Sequence, residues 1–214
     1  MRSIMVLNAK GGCGKSTIAT SLAAYFASQY EGAHVTLADY DPQRSASDWL
    51  ALRPDDRPTV HGLDAFDDGL KYLERSTDFL IMDAPARIHG GDITQLIKHA
   101  QTIIVPVLPS PVDINAVARY VKELQNNTEV QHKRVKIGVV ANRVKENTKI
   151  YEFTSDFLDR LKVPFITHLR EAMNYNRAFG RGLGIHELPP YLAWPDWEQW
   201  EPLIKWLESK RSQP

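Results

Sequence analysis

The chain has 214 residues, 43% of them hydrophobic, and its 26 basic and 26 acidic side chains balance to a formal net charge of zero. This length suits one domain, or one domain with a small appendage, and the apolar content is enough to fill an open α/β sheet. The charge balance by itself indicates neither nucleic acid nor a membrane as partner. The single cysteine, Cys13, excludes an intramolecular disulfide and a cysteine-based metal cluster within one chain.

Short apolar runs alternate with helical patterns from the N-terminus onward. The first run begins within three residues and none is long enough to cross a bilayer, so we expect a cytoplasmic protein without a signal peptide. The predicted strands are 4–7, 34–38, 59–60 (weak), 79–82, 102–108, 135–140 and 165–167. The predicted helices are 15–30, 46–52, 64–74, 92–100, 113–125 and 149–161, followed by a Trp-rich helix at about 194–210.

This alternation predicts an α/β fold with right-handed crossovers between parallel strands. Several runs lack polar–apolar alternation, which is typical of strands covered on both faces. We therefore expect a doubly wound, mostly parallel sheet with helices on both faces and ligands at the carboxyl ends of the strands. We expect residues 1–214 to form a single domain, with the Trp-rich helix packed on it.

The segment 9–17 reads AKGGCGKST and lies between the first predicted strand and the first predicted helix. In that setting the glycines let successive N–H groups turn toward phosphate oxygens, and the helix N-terminus adds positive potential. Lys15 would reach the β- and γ-phosphates, and the Ser16 hydroxyl would bind Mg²⁺. Two features depart from the usual pattern: Ala9 stands where a glycine is common, and Lys10 is a second lysine inside the loop.

Acidic residues follow two of the predicted strands. Asp39 and Asp41 come after the second strand, where one could hold Mg²⁺-bound water and the other could orient the attacking water; the alternative is an Asp-Pro turn. Asp83 follows the apolar run 79–82 in the form of a Walker B acid aimed at Mg²⁺ through water. The alternative for Asp83 is a helix N-cap.

Taken together, these motifs resemble the ParA/MinD family of deviant-Walker P-loop ATPases, and most closely the short ParA partition and cargo-positioning ATPases. The resemblance rests on KGGCGKST (10–17), DYDPQ (39–43) and DAP (83–85), in this order and spacing. It extends to VPVLPSPVD (105–113) and VVANR (139–143). It implies a P-loop NTPase fold that uses ATP and Mg²⁺ and hydrolyses ATP slowly, under the control of a partner.

The resemblance also implies a role for individual residues. Lys10 matches the signature lysine that reaches across an ATP-sandwich homodimer to the phosphates bound by the partner. Lys15 matches the P-loop lysine, and Asp41 matches the acid that positions water. These three are the implied catalytic residues. The implied metal residues are Ser16, Asp39, Asp41 and Asp83, the acids acting through water. The implied nucleotide-binding residues are Lys10, Gly11, Gly12, Cys13, Gly14, Lys15, Ser16, Thr17, Asn142 and Arg143.

Between residues 131 and 185, basic side chains outnumber acidic ones. Small ParA proteins bind DNA without sequence preference, which requires phosphate-neutralising side chains on one face. The resemblance implies such contacts for Arg170, Arg177 and Arg181, and the basic stretch itself adds Lys145 and Lys149; the alternative is a solvated helical face. It further implies nucleoid association in the ATP state and a stimulating partner, either a ParB-like protein or a cargo adaptor. The cargo could be a plasmid, a chromosome or a protein complex.

Two other functions stay open. A MinD-like membrane ATPase would end in a basic amphipathic helix, whereas here glutamates interrupt the basic residues of the last helix, which argues against docking on anionic lipid. An ATP-dependent ligase of the dethiobiotin synthetase type would activate a carboxylate, would not need Lys10 and would need a substrate pocket that the sequence does not reveal.

Overall fold

A computed structural model describes residues 1–86, 88, 90–132, 134–145 and 162–214. The strands are β1 (Arg2–Val6), β2 (Val35–Asp39), β3 (His61–Asp64), β4 (Phe79–Asp83), β5 (Thr102–Val107), β6 (Lys136–Val144) and β7 (Phe165–Arg170). The helices are α1 (Lys15–Gln29), α2 (Ser45–Ala51), α3 (Gly90–Ile97), α4 (Pro111–Gln125), α5 (Thr128–Gln131), α6 (Met173–Phe179) and α7 (Pro190–Glu208). The predicted helix 149–161 lies outside the described residues.

The strands form a seven-stranded sheet in the order β3-β2-β4-β1-β5-β6-β7. The paired strands run parallel, and Asp83 at the end of β4 is in register with both Asp39 of β2 and Val6 of β1. Every residue of β2 and β5 is buried, as expected for strands covered on both faces. The prediction of a doubly wound parallel α/β sheet is confirmed. This register brings the carboxyl ends of β1, β2 and β4 next to one another at the same end of the sheet.

The predicted helix 64–74 is wrong. Asp64 instead ends β3, which begins at His61 and alternates half-buried and exposed residues as the edge strand of the sheet. The following residues form turns, in which the Asp64 carboxylate accepts a hydrogen bond from the Phe66 N–H and Gly69 takes a φ of 58°. An Asx turn and a left-handed glycine compete directly with helix formation.

The described residues form two compact units, so the single-domain expectation stays a prediction. The first unit comprises residues 1–6, 14–85 and 172–197. Phe26 and Trp49 are buried in its core, and the Trp49 indole donates to the Leu183 carbonyl at 3.2 Å. The Arg53 guanidinium makes two hydrogen bonds to the Glu187 carboxylate, at 2.9 and 3.0 Å, in a pair that is almost fully buried.

The second unit comprises residues 7–13, 86–171 and 198–214, so far as they are described. The C-terminal part of α7 packs in this unit. A Cβ atom added at Gly138 would lie only 2.8 Å from the Trp206 ring of this helix. A larger residue at position 138 in β6 would therefore require the Trp206 ring to shift. Leu203 and Leu207 of the helix are buried as well. Helix α7 begins before the predicted boundary, at Pro190, and no described helix is long and apolar enough to span a membrane.

Candidate nucleotide site

The glycine-rich loop leads from β1 into α1 through two left-handed residues. Gly12 has a φ of 75° and Gly14, which caps the helix, has a φ of 91°, conformations that strain any residue with a Cβ. Helix α1 then begins at Lys15 and continues through Ser16 and Thr17, with no acidic side chain in its first turn. The backbone N–H groups and the dipole of this helix end therefore favour an anion such as phosphate.

Asp83 is a fully buried carboxylate at the end of β4, in the same compact unit as Lys15 and Ser16. Burial raises its pKa to about 7; the Ser16 hydroxyl and the Lys15 charge lower the pKa, while Asp39 and Asp41 raise it. Among the described residues neither Asp83 oxygen has a hydrogen-bond partner of good geometry. A buried, ionised carboxylate without hydrogen-bond partners destabilises the folded protein unless a cation or a water molecule binds it.

Asp39 and Asp41 have different surroundings although they are two residues apart. The buried Asp39 accepts hydrogen bonds on one oxygen from the Ser47 N–H and hydroxyl, both at 2.9 Å, and on the other from the Asp41 N–H at 3.1 Å. Asp41 is partly exposed and accepts from the Gln43 N–H at 2.9 Å. Asp39 thus shapes the turn and the start of α2, and Asp41 is the acid with access to water.

These residues fit a magnesium ion. Mg²⁺ prefers oxygen ligands and keeps several waters, so it needs few protein atoms. The Ser16 hydroxyl and the unsatisfied carboxylate of Asp83 supply such oxygens, while the hydrogen bonds at Asp39 favour contact through water. The interpretation of Ser16, Asp39, Asp41 and Asp83 as a metal set stays a prediction, with Asp83 its best-supported acid.

Asn142 supports the loop in the second unit. Its amide N–H donates to the Cys13 carbonyl at 2.8 Å, and its amide oxygen accepts from the Arg143 N–H at 2.9 Å. Cys13 is buried, and its thiol donates to the Lys10 carbonyl at 3.3 Å. Arg143 has a φ of 57° and its guanidinium contacts Glu171 at 3.0 Å. The adenine contacts implied for Asn142 and Arg143 stay predictions.

Lys10 is ion-paired within its own chain, to Asp113 in the first turn of α4. Ser110, the N-cap of α4, donates its hydroxyl to the other Asp113 oxygen and accepts the Asp113 N–H at 3.1 Å. Burial favours a higher pKa for Asp113, but the hydrogen bonds from Lys10 and Ser110 and the charge of Lys10 lower it. Ser-x-x-Asp before an apolar pattern signals a capped helix, but nothing in the sequence marks Asp113 as the partner of Lys10.

The basic residues implied for DNA binding lie in both units. In the second unit Arg170 ends β7, and Lys145 follows β6 with its ammonium 3.4 Å from the Glu171 carboxylate. In the first unit Arg177 in α6 is exposed and contacts the Asn174 amide oxygen at 3.3 Å, and Arg181 is exposed just after that helix. Lys149 lies outside the described residues. The DNA contacts stay predictions.

The sequence profile of the CobQ/CobB/MinD/ParA nucleotide-binding domain, CbiA, matches residues 4–185 of the chain. The chain belongs to this family. The ParA/MinD resemblance is thereby confirmed, and the glycine-rich loop described above lies within the matched region of the CbiA domain.

Individual members of the CbiA family resemble the chain over most of its length. It is 29% identical over 192 residues to the maintenance of carboxysome distribution protein A of Halothiobacillus neapolitanus, covering 87% of each sequence. A McdA variant from Cyanothece in complex with ATP matches with a TM-score of 0.75 and 19% identity, over 95% of this chain and 96% of that one. MinD from Aquifex aeolicus matches with a TM-score of 0.73 and 19% identity, over 96% of this chain and 97% of that one. At these identities the solved structures establish the fold.

Proposed function

We propose that this protein is a slow ATPase that dimerises around ATP, binds DNA without sequence preference in that state, and segregates or positions a cargo. The observation that carries the ATPase assignment is the buried Asp83 carboxylate, with no hydrogen-bond partner of good geometry among the described residues and with the Ser16 hydroxyl and Lys15 close enough to lower its pKa. A buried carboxylate that lacks hydrogen-bond partners of good geometry, next to a phosphate-binding loop, is well suited to bind the Mg²⁺ of a Mg²⁺-nucleotide complex. It has no evident role in packing.

The residues have separate roles in the proposed hydrolysis. The loop N–H groups and Lys15 bind the phosphates, Ser16 and Asp83 hold Mg²⁺, and Asp41 orients the attacking water. Mg²⁺, when bound, would neutralise charge that develops on the phosphates. Because Asp39 already binds Ser47 and the Asp41 backbone, it fixes the direction of Asp41 and contacts the metal through water.

Lys10 is the residue that links hydrolysis to dimerisation. Its in-chain partner is a carboxylate on α4, which a phosphate of a second subunit could replace. A cation delivered by another subunit stabilises the charge of the transferring phosphoryl group in the same way as an arginine finger. The proposed enzyme is therefore active only as a dimer, which makes ATP a switch for assembly.

The proposal of DNA binding and cargo rests on similarity and charge. The relative in Halothiobacillus neapolitanus is a carboxysome distribution protein, which supports a positioning role and makes a protein assembly one possible cargo beside a plasmid or chromosome. Exposed Arg177 and Arg181 supply charge for phosphate contacts. We expect a cytoplasmic, nucleoid-associated protein stimulated by a ParB-like or cargo-adaptor partner.

The alternatives are less well supported. Trp200, Leu203, Ile204 and Leu207 of α7 are buried, so this face is not available to a membrane in the way that a MinD-like anchor requires. A carboxylate-activating ligase remains an alternative because a phosphate-binding loop that holds Mg²⁺ and ATP would serve that reaction as well.

The test is ATP hydrolysis by the full chain with Mg²⁺, with and without duplex DNA and without any added carboxylic acid. We expect slow ATP turnover that persists in the presence of DNA. Lys15→Ala should eliminate this turnover, whereas Lys71→Ala should leave it unchanged because Lys71 is largely exposed. Turnover that appears only after a carboxylic acid substrate is supplied would instead support the ligase.

A further inference from the structure

A second cluster of polar side chains lies at the opposite end of the sheet from the glycine-rich loop. His34 immediately precedes β2, His61 begins the edge strand β3, and Glu74 lies in the segment that leads to β4. One ligand atom from each of the three lies within 4.8 Å of the others, and no other group of this kind occurs among the described residues. At about 3.3 Å per residue, the length of β2 separates this cluster from Asp39 by roughly 17 Å.

The two imidazoles of this cluster are stacked, with ring centroids 3.8 Å apart and planes 9° from parallel. The Nε2 atom of His34 lies 3.1 Å from a Glu74 carboxylate oxygen, outside hydrogen-bonding geometry. Both ring nitrogens of His34 are buried and make no hydrogen bond with any described residue. Buried imidazole nitrogens are normally paired, yet apart from the poorly oriented Glu74 carboxylate the described residues offer His34 no acceptor for its N–H and no donor or cation for its lone pair.

We propose that His34, His61 and Glu74 form a Zn²⁺ site that ties the edge of the sheet together. Two imidazole nitrogens and one carboxylate oxygen are a donor set that Zn²⁺ binds tetrahedrally, with water in the fourth position. Each imidazole lone pair lies in its ring plane, so ligation requires one stacked ring to rotate. The Glu74 side chain is 62% exposed and has room to approach the metal.

The site would act on stability and not on hydrolysis. Its ligands come from the start of β2, the start of β3 and the segment before β4, so a bound metal joins three segments that are far apart in sequence. Strand β3 pairs on one side only, with β2, and Thr36 is in register with His61 beside the cluster. A metal that binds only the folded chain stabilises it by an amount that grows with the logarithm of the metal concentration divided by the Kd.

The experiment measures Zn²⁺ bound per full-length chain by equilibrium dialysis after chelator treatment, in excess Mg²⁺ so that the carboxylates of the nucleotide site are occupied. We expect one Zn²⁺ per chain. The variants His61→Gln and Glu74→Gln should each weaken binding at least tenfold, and both are conservative changes of half-buried or exposed side chains. His132→Gln, at an exposed position after α5, is the matched control and should bind as the unaltered chain does.

Thermal unfolding gives the second readout. At a hundredfold excess of Zn²⁺ over its Kd, the melting temperature of the unaltered chain should rise by roughly 5–10 °C. The His61→Gln/Glu74→Gln double variant should show no such rise, although it still folds and turns over ATP. A chain that retains no Zn²⁺, or a double variant that binds and is stabilised as well as the unaltered protein, would overturn the proposal.

Discussion

Lys10 and Asp113 form an ion pair within one chain, between the glycine-rich loop and the first turn of α4. Ser110 holds the same carboxylate from its other side, so Asp113 is fixed in place while the lysine is 40% exposed. The charge of Lys10 is thus engaged before any second subunit arrives. In the proposed dimer this pair must break, and its strength therefore sets part of the cost of assembly.

Asp113→Asn should strengthen ATP-dependent dimerisation. An ion pair of this exposure is worth about 1 kcal/mol, and one breaks in each subunit of the symmetric dimer, so the dimer Kd should fall by roughly 30-fold. Asparagine keeps the shape of the side chain, and Ser110 still caps α4. Asp92→Asn in the first turn of α3 is the matched control, because it removes an acid from an equivalent helix position. Sedimentation equilibrium with ATP measures the Kd; an unchanged value means that the pair does not oppose assembly.

The two loop lysines should fail in different ways. Lys10→Ala should reduce ATP turnover by roughly 10²–10³-fold, the usual effect of removing one transition-state donor, with a modest loss of nucleotide affinity. Lys15→Ala should weaken ATP binding itself, because Lys15 is buried at the start of α1 where the phosphates are proposed to bind. Titration of a fluorescent ATP analogue beside steady-state turnover separates the two effects. Equal loss of affinity in both variants would place both lysines on the phosphates of one subunit.

Asp83 should make the nucleotide-free protein less stable as the pH rises. Its pKa is about 7 in the fold, above the ordinary value of 3.8, so the folded state holds a proton that the unfolded state has lost between those values. The Asp83 contribution to stability should therefore fall from about pH 4 to pH 7 and level off above it, while the buried His186, whose pKa is lowered to about 4, opposes that fall below about pH 6.5. Asp83→Asn should remove this contribution, so that between pH 5 and 7 the stability of the variant rises with pH relative to the unaltered chain, and the variant should lose stabilisation by Mg²⁺-nucleotide. Urea midpoints from pH 5 to 8 test this; a variant with an unaltered slope would show that Asp83 is not the titrating group.

The strands and the glycine-rich loop were predictable because their signals are local. Continuous apolar runs marked β1, β2, β4 and β5, and the AKGGCGKST segment marked the turn into α1. The helix predicted at 64–74 failed because an Asx turn at Asp64 and the left-handed Gly69 break it, and because Asp64 itself belongs to the edge strand β3, whose pairing is not a local property. For the same reason Asp113 was missed as the partner of Lys10, since 103 residues separate them and only the fold brings them together.

The cluster of His34, His61 and Glu74 was also invisible in the sequence, because its spacing matches no metal-binding motif. The roles of Asp39 and Asp41 could be separated only when their hydrogen bonds were known. Asp39 ends β2 and Asp41 follows two residues later, yet Asp39 accepts three hydrogen bonds from the protein and Asp41 remains open to water.

DNA binding should depend on salt and on the exposed arginines. If the ATP-bound dimer contacts phosphates, the logarithm of its affinity should fall with the logarithm of salt concentration at about −0.9 per phosphate neutralised. Arg177→Ala or Arg181→Ala should lower affinity alike for unrelated duplexes and make that slope shallower by about one. Arg134→Ala is the matched control, because Arg134 is paired with Glu129 after α5. Binding to anionic liposomes in place of DNA would favour the MinD-like alternative.

Dimerisation controlled by ATP is the central claim, and mass in solution measures it most directly. The Asp41→Ala variant should bind ATP and Mg²⁺ but hydrolyse ATP far more slowly, since Asp41 is the acid proposed to orient water. The variant should therefore stay in the ATP-bound state long enough for its mass in solution to be measured. Light scattering on this variant should give a dimer with ATP and Mg²⁺ and a monomer with ADP and Mg²⁺. A variant that binds ATP yet stays monomeric at every concentration tested would contradict the account.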